Sequence, residues 1–93
     1  MVITSDMMIF TAESEMAVVT DRQWVERTKG LLKSELKRRN VSYRQLAEKL
    51  EELGVHETER NIANKIARGG FTAVFFVQCM IAIGVTTVRL AEA

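Results

Sequence analysis

With 93 residues, one cysteine and one histidine, the chain has the length of one domain with its own core, but it cannot form an internal disulfide or supply the ligand set of a structural zinc ion. Its 47% apolar and 27% charged residues suit a globular protein. No uninterrupted apolar stretch reaches the length of a membrane span, the N-terminus lacks the layout of a signal peptide, and a cytoplasmic, reducing setting is expected.

The net charge of +1 conceals an asymmetry. Residues 1–21 hold Asp6, Glu13, Glu15 and Asp21 and no Lys or Arg, while all 13 basic residues fall in 22–93. That mild basicity of the body permits a nucleic-acid partner without requiring one. In residues 1–20 the apolar clusters Val2-Ile3 and Met7-Met8-Ile9-Phe10 follow no sustained period. They predict an N-terminal arm, either flexible, strand-like, or strapped over an apolar patch. Residues 21–93 predict one helical domain.

The first helix begins at Thr20, with Gln23 at capping-box spacing and Asp21 placed for the helix dipole. Trp24, Thr28, Leu31, Leu32 and Leu36 recur at helical spacing, so Trp24 is expected to anchor the core. Arg22, Lys29, Lys33 and Lys37 occupy the opposite face, and Asn40 suits the stop. Ser42-Tyr43-Arg44-Gln45 opens a second helix in the same way. Its inward stripe is Leu46, Ala47, Leu50 and Leu53, and Gly54 ends it.

A third helix over residues 58–68 carries Ile62 and Ile66 on one side, beside Ala63 and Ala67, and Gly69-Gly70 terminates it. Its other side holds Arg60, Asn61, Asn64, Lys65 and Arg68, which the 3.6-residue period places on one face. A fourth helix from Thr72 to Gly84 is apolar nearly all round. Such a helix is either central or shared with a second subunit. Thr86 or Thr87 is expected to cap a short fifth turn holding Val88 and Leu90. The expected fold is therefore an all-α bundle of four to five helices.

Arg and Asn are the side chains that read guanine and adenine edges by paired hydrogen bonds. The polar face of the third helix thus fits a reader of the major groove, although a polar helix face is more often simply solvated. Cys79, in an apolar helix, reads as a small buried hydrophobe, and His56 as a solvent-facing turn residue. No nucleophile–base set, paired carboxylates or phosphate-cradling loop is visible, so neither an enzyme nor a cofactor is expected.

Two resemblances follow from these motifs. Ser42-Tyr43-Arg44-Gln45-Leu46-Ala47, Arg68-Gly69 and Ala82-Ile83-Gly84-Val85 resemble the Cro/repressor class of helix-turn-helix domains, the lambda-repressor-like type. A second resemblance is to DUF6471, an uncharacterised family of small bacterial proteins. It rests on Leu36-Lys37-Arg38-Arg39, Val41-Ser42-Tyr43, Leu46-Ala47, Glu57-Thr58-Glu59-Arg60-Asn61-Ile62, Asn64-Lys65-Ile66, Arg68-Gly69, Phe71, Gln78-Cys79 and Ala82-Ile83-Gly84.

The helix-turn-helix resemblance implies DNA binding of the bacterial transcriptional-regulator type. Residues 58–68 become the recognition helix, with Arg60, Asn61 and Asn64 toward bases. Ser42, Tyr43, Arg44, Lys65 and Arg68 fall toward phosphates. It also implies a two-fold dimer, through Phe76, Met80 and Ile81 or through the N-terminal arm.

This chain departs from that pattern in two places. Ala47 and Gly54 lie seven positions apart, nearly one turn, or about 5.4 Å of rise, more than in ordinary members. Tyr43 stands where a phosphate-contacting Gln is frequent. The alternative to DNA binding is a helical protein–protein interaction module, which Glu57, Glu59 and the apolar fourth helix favour.

Overall fold

The computed structural model describes residues 20–90, and they form four α-helices with no strand among them. α1 runs Asp21–Arg38, α2 Tyr43–Glu52, α3 Glu59–Arg68 and α4 Ala73–Ala82. The expected arm, residues 1–19, lies outside the described residues.

Every helix starts at a hydroxyl side chain. Thr20, Ser42, Thr58 and Thr72 accept the backbone N–H groups of Gln23, Gln45, Asn61 and Phe75 respectively. At Thr20 and Ser42 the glutamine side chain returns a bond to the cap's own N–H, at 2.8 Å in both cases. These are the two capping boxes expected from the sequence.

Three of the helices also stop in the same way. After α1, α2 and α4 comes a left-handed residue, Asn40, Gly54 or Gly84, and then a valine. Val41, Val55 and Val85 each donate a backbone bond of 2.9 to 3.0 Å to Leu36, Leu50 and Met80. This is the Schellman arrangement, in which the residue after the left-handed one folds back on the last turn. All three valines reach the core cluster.

The core is built economically. Each helix supplies an i, i+4 pair of buried side chains: Leu32/Leu36, Leu46/Leu50, Ile62/Ile66 and Phe75/Cys79. Met80, Ile83 and Val85 complete it. Full burial of a large aliphatic side chain contributes about 1.5–3 kcal/mol, so these pairs supply most of the packing energy of the bundle. α2 packs on α3 and α4, and α1 packs on the same two helices.

Several expectations are corrected. Trp24 is 50% exposed and does not anchor the core. The inward stripe of α1 keeps Leu32 and Leu36, but in the first turns Val25 and Lys29 face the end of α3 at Gly69 in place of Trp24. The indole instead lies beneath the Arg27 guanidinium, 5.1 Å from its ring centre. Lys29 is correspondingly not on the free face, since its Nζ donates to the Ala67 carbonyl at 3.0 Å.

Leu53 is 49% exposed because it is the C-cap of α2 and the chain turns at Gly54, leaving Val55 to pack inward. Of the three side chains expected at a dimer contact, Met80 is core and Phe76 is half-buried, stacked on Phe71 at 6.4 Å. Only Ile81 is exposed. No fifth turn forms over residues 85–90. A single turn gains too few hydrogen bonds to fix its backbone, and Thr86, Thr87 and Val88 are β-branched.

Candidate nucleic-acid interface

α3 is anchored by Ile62 and Ile66, both essentially inaccessible. Inward burial at these two positions turns Arg60, Asn61, Asn64 and Arg68 outward, and all four are exposed. Their side chains make no hydrogen bond or ion pair among the described residues. The helix therefore presents two guanidinium groups and two carboxamides with their donors and acceptors unspent, over about two turns and 12 Å of axis.

Lys65, expected beside them as a phosphate contact, is placed differently. It is half-buried, its Nζ is ion-paired with Glu57, and the same ammonium lies 4.7 Å from the Phe75 ring centre. Lys65 thus ties α3 to the residue preceding its own N-cap and to α4. The pairing also changes the meaning of Glu57, whose carboxylate is mostly covered and neutralised, so it does not project toward an approaching anion. Glu59 stays exposed in the first turn, where its charge complements the helix dipole.

Lys29 and Gly69 hold the other end of α3. The Lys29 ammonium sits on a last-turn carbonyl, as a cation at a helix C-terminus should. Gly69 has φ +74°, and a β-carbon there would stand 2.6 Å from Val25 Cγ1. Gly69 is thus a packing requirement between α1 and α3 as well as a helix stop.

At the start of α2, Ser42 Oγ accepts the Gln45 N–H at 3.1 Å, which leaves its own proton to donate. Arg44 is exposed and only loosely paired, 4.0 Å from Glu48, a contact of little strength at a solvated surface. Tyr43 is half-buried against the core cluster. Of the sequence-derived candidates, Arg60, Asn61, Asn64 and Arg68 share the outward face of α3. Ser42, Tyr43 and Arg44 cluster at the start of α2, which packs on α3, and Lys65 is withdrawn.

Two features escaped the sequence reading. One is Lys29, because nothing local distinguishes it from the solvated Lys33 and Lys37. The other is Val74 and Val77 on α4, which form an exposed aliphatic row with Ile81. Its i, i+3, i+7 spacing is present in the sequence but hidden among apolar residues on every other side.

Cys79 is fully buried in the core cluster, and burial pushes its thiol up to about 12; Glu57 adds to that shift and Lys65 opposes it. No helix among the described residues is long and apolar enough to cross a membrane.

The family model of a domain of unknown function, DUF6471, matches residues 24–88, more than half of the chain, and the chain belongs to that family. The match begins in the first turn of α1 and ends beyond α4, so the whole outward face of α3 lies within it. Comparison with curated proteins and with solved structures gives no match.

Proposed function

We propose that the protein is a sequence-specific DNA-binding protein of the helix-turn-helix kind, a cytoplasmic bacterial transcriptional regulator, with α3 entering the major groove. One observation carries this reading: Arg60, Asn61, Asn64 and Arg68 stand exposed, and unpaired among the described residues, on one face of a helix whose opposite face is locked into the core. Arg60, Asn61 and Asn64 take the base edges. Arg68, together with Ser42, Arg44 and the hydroxyl of Tyr43, takes backbone phosphates. Lys65 is left out of the contact set, since releasing it would strand the Glu57 carboxylate.

Selection of bound fragments from random duplex DNA tests the proposal without a guess at the site. A recovered consensus that the triple substitution Arg60→Ala, Asn61→Ala, Asn64→Ala erases supports it. Retained preference in that variant removes α3 as the reader. Affinity should also fall with salt, the logarithmic slope being about 0.9 for each phosphate neutralised.

The pairing of Lys29, Lys65, Arg38 and Arg39 with neighbouring groups favours a second reading. It lowers the free positive charge and suits a module that binds protein instead. Stoichiometric capture of one protein with no retention of DNA at low salt would select that reading.

A further inference from the structure

α4 is the one helix of the four with no charged residue. Phe75, Cys79 and Met80 serve the core. Facing away from them, Val74, Val77 and Ile81 are 66%, 51% and 58% exposed. Positions i, i+3 and i+7 lie in one row along a helix, so the three form a continuous aliphatic strip.

We infer that this strip is a self-association surface whose occupant is α4 of a second copy of the chain. Charge and register select that occupant. An uncharged strip laid against itself brings no like charges together, whereas α1, α2 and α3 all present charged outer faces. The row is also self-complementary about a two-fold axis. In an antiparallel crossing centred beside Val77, Val74 of one protomer meets the partner's Ile81, and Ile81 meets the partner's Val74. This is the reciprocity an isologous contact requires.

The size of the strip sets the strength of the pair. Three partly exposed aliphatic side chains make a patch of a few hundred Å², the range in which exposed apolar patches acquire a role. That is well under the roughly 800 Å² per partner of a standard stable interface. The dimer is therefore reversible and concentration-dependent. This inference does not depend on DNA binding and stands or falls without it.

Sedimentation equilibrium of the full chain over a wide concentration range tests it. The apparent mass should climb from the monomer value toward twice that value, and Val77→Glu should hold it at the monomer value throughout. Position 77 is solvent-facing, so that variant should keep the wild-type circular dichroism and melting temperature.

A second measurement uses Val77→Cys under mild oxidation. The native Cys79 is buried and protonated, so it does not compete. A covalent dimer should form, and adding Ile81→Glu in the same chain should suppress it. Thr87→Cys, at an exposed position outside the strip, should stay monomeric under the same oxidant. A wild-type chain that remains monomeric at every concentration overturns the inference, as does a Val77→Cys variant that cross-links no faster than Thr87→Cys. A monomer that instead engages a different protein through this strip overturns it equally.

Discussion

α3 and α4 are built to the same plan and finished differently. Both are ten residues long, start at a threonine cap and sink an i, i+4 pair into the core. Outside, α3 ends in guanidinium and carboxamide groups, while α4 ends in methyl groups. Since the inward pairs already satisfy the packing, neither exterior is dictated by the fold. The outer faces therefore differ in chemistry independently of the core, polar and hydrogen-bonding on α3 and aliphatic on α4.

The contrast can be broken at the inner positions first. Ile62→Ala removes a fully buried side chain and should destabilise the domain by about 2–5 kcal/mol in urea denaturation. The ends of the two helices come next. Gly69→Ala and Gly84→Ala both force alanine into a left-handed backbone, which costs about 1–2 kcal/mol. Only Gly69→Ala also drives a methyl into Val25, adding about 1–3 kcal/mol. A comparable melting shift in the two variants would refute the tight α1–α3 contact.

Lys65→Met should cost about 1–3 kcal/mol by leaving the covered Glu57 carboxylate unpaired. Arg68→Met, on the outward face, should change stability by under about 0.5 kcal/mol. Equal effects would return Lys65 to the surface set.

Cys79 adds a pH signature. Its folded pKa is raised from 9.0 to about 12, so between those values the native thiol keeps a proton that the unfolded chain has lost. Its contribution to stability is intact below pH 9 and erodes as pH rises, by about 1.4 kcal/mol per unit. Cys79→Ala should flatten that slope in a pH series of denaturant melts. The smallest effects belong to the outer faces. Arg60→Ala and Val77→Ala should each shift stability by less than about 0.5 kcal/mol, and on the two proposals above the first should weaken DNA binding and the second self-association.

How far the sequence was readable follows the same division. Helix starts were legible because Thr20, Ser42, Thr58 and Thr72 each act on a backbone group three residues away, a local event. Ile62 and Ile66 were legible because the rest of α3 is polar, leaving one way to bury it. That same polarity exposed Arg60, Asn61 and Asn64.

Trp24 was misread because helical spacing from Leu32 and Leu36 extended the stripe to it, whereas the first turns of α1 pack by Val25 and Lys29 on Gly69, far along the chain. Met80 was misread because an apolar helix carries no signal for which side faces inward. Lys65 differs from Arg68 through Glu57 and the Phe75 ring, and the approach of Glu57 depends on the path of the link from Leu53 to Thr58. Each error lies where a side chain's fate is decided by a distant partner.

The matching stops after α1, α2 and α4 bear on how this chain tolerates insertions. A helix closed by a left-handed residue and an inward valine has both ends pinned, so one extra residue inside α2 would rotate Leu46 away from Leu50 by about 100°. The link between Val55 and Thr58 has no such lock at either His56 or Glu57 backbone. Length variation among relatives should therefore gather there, since residues inserted at 56–57 lengthen the link without changing the i, i+4 spacing of Leu46/Leu50 or Ile62/Ile66.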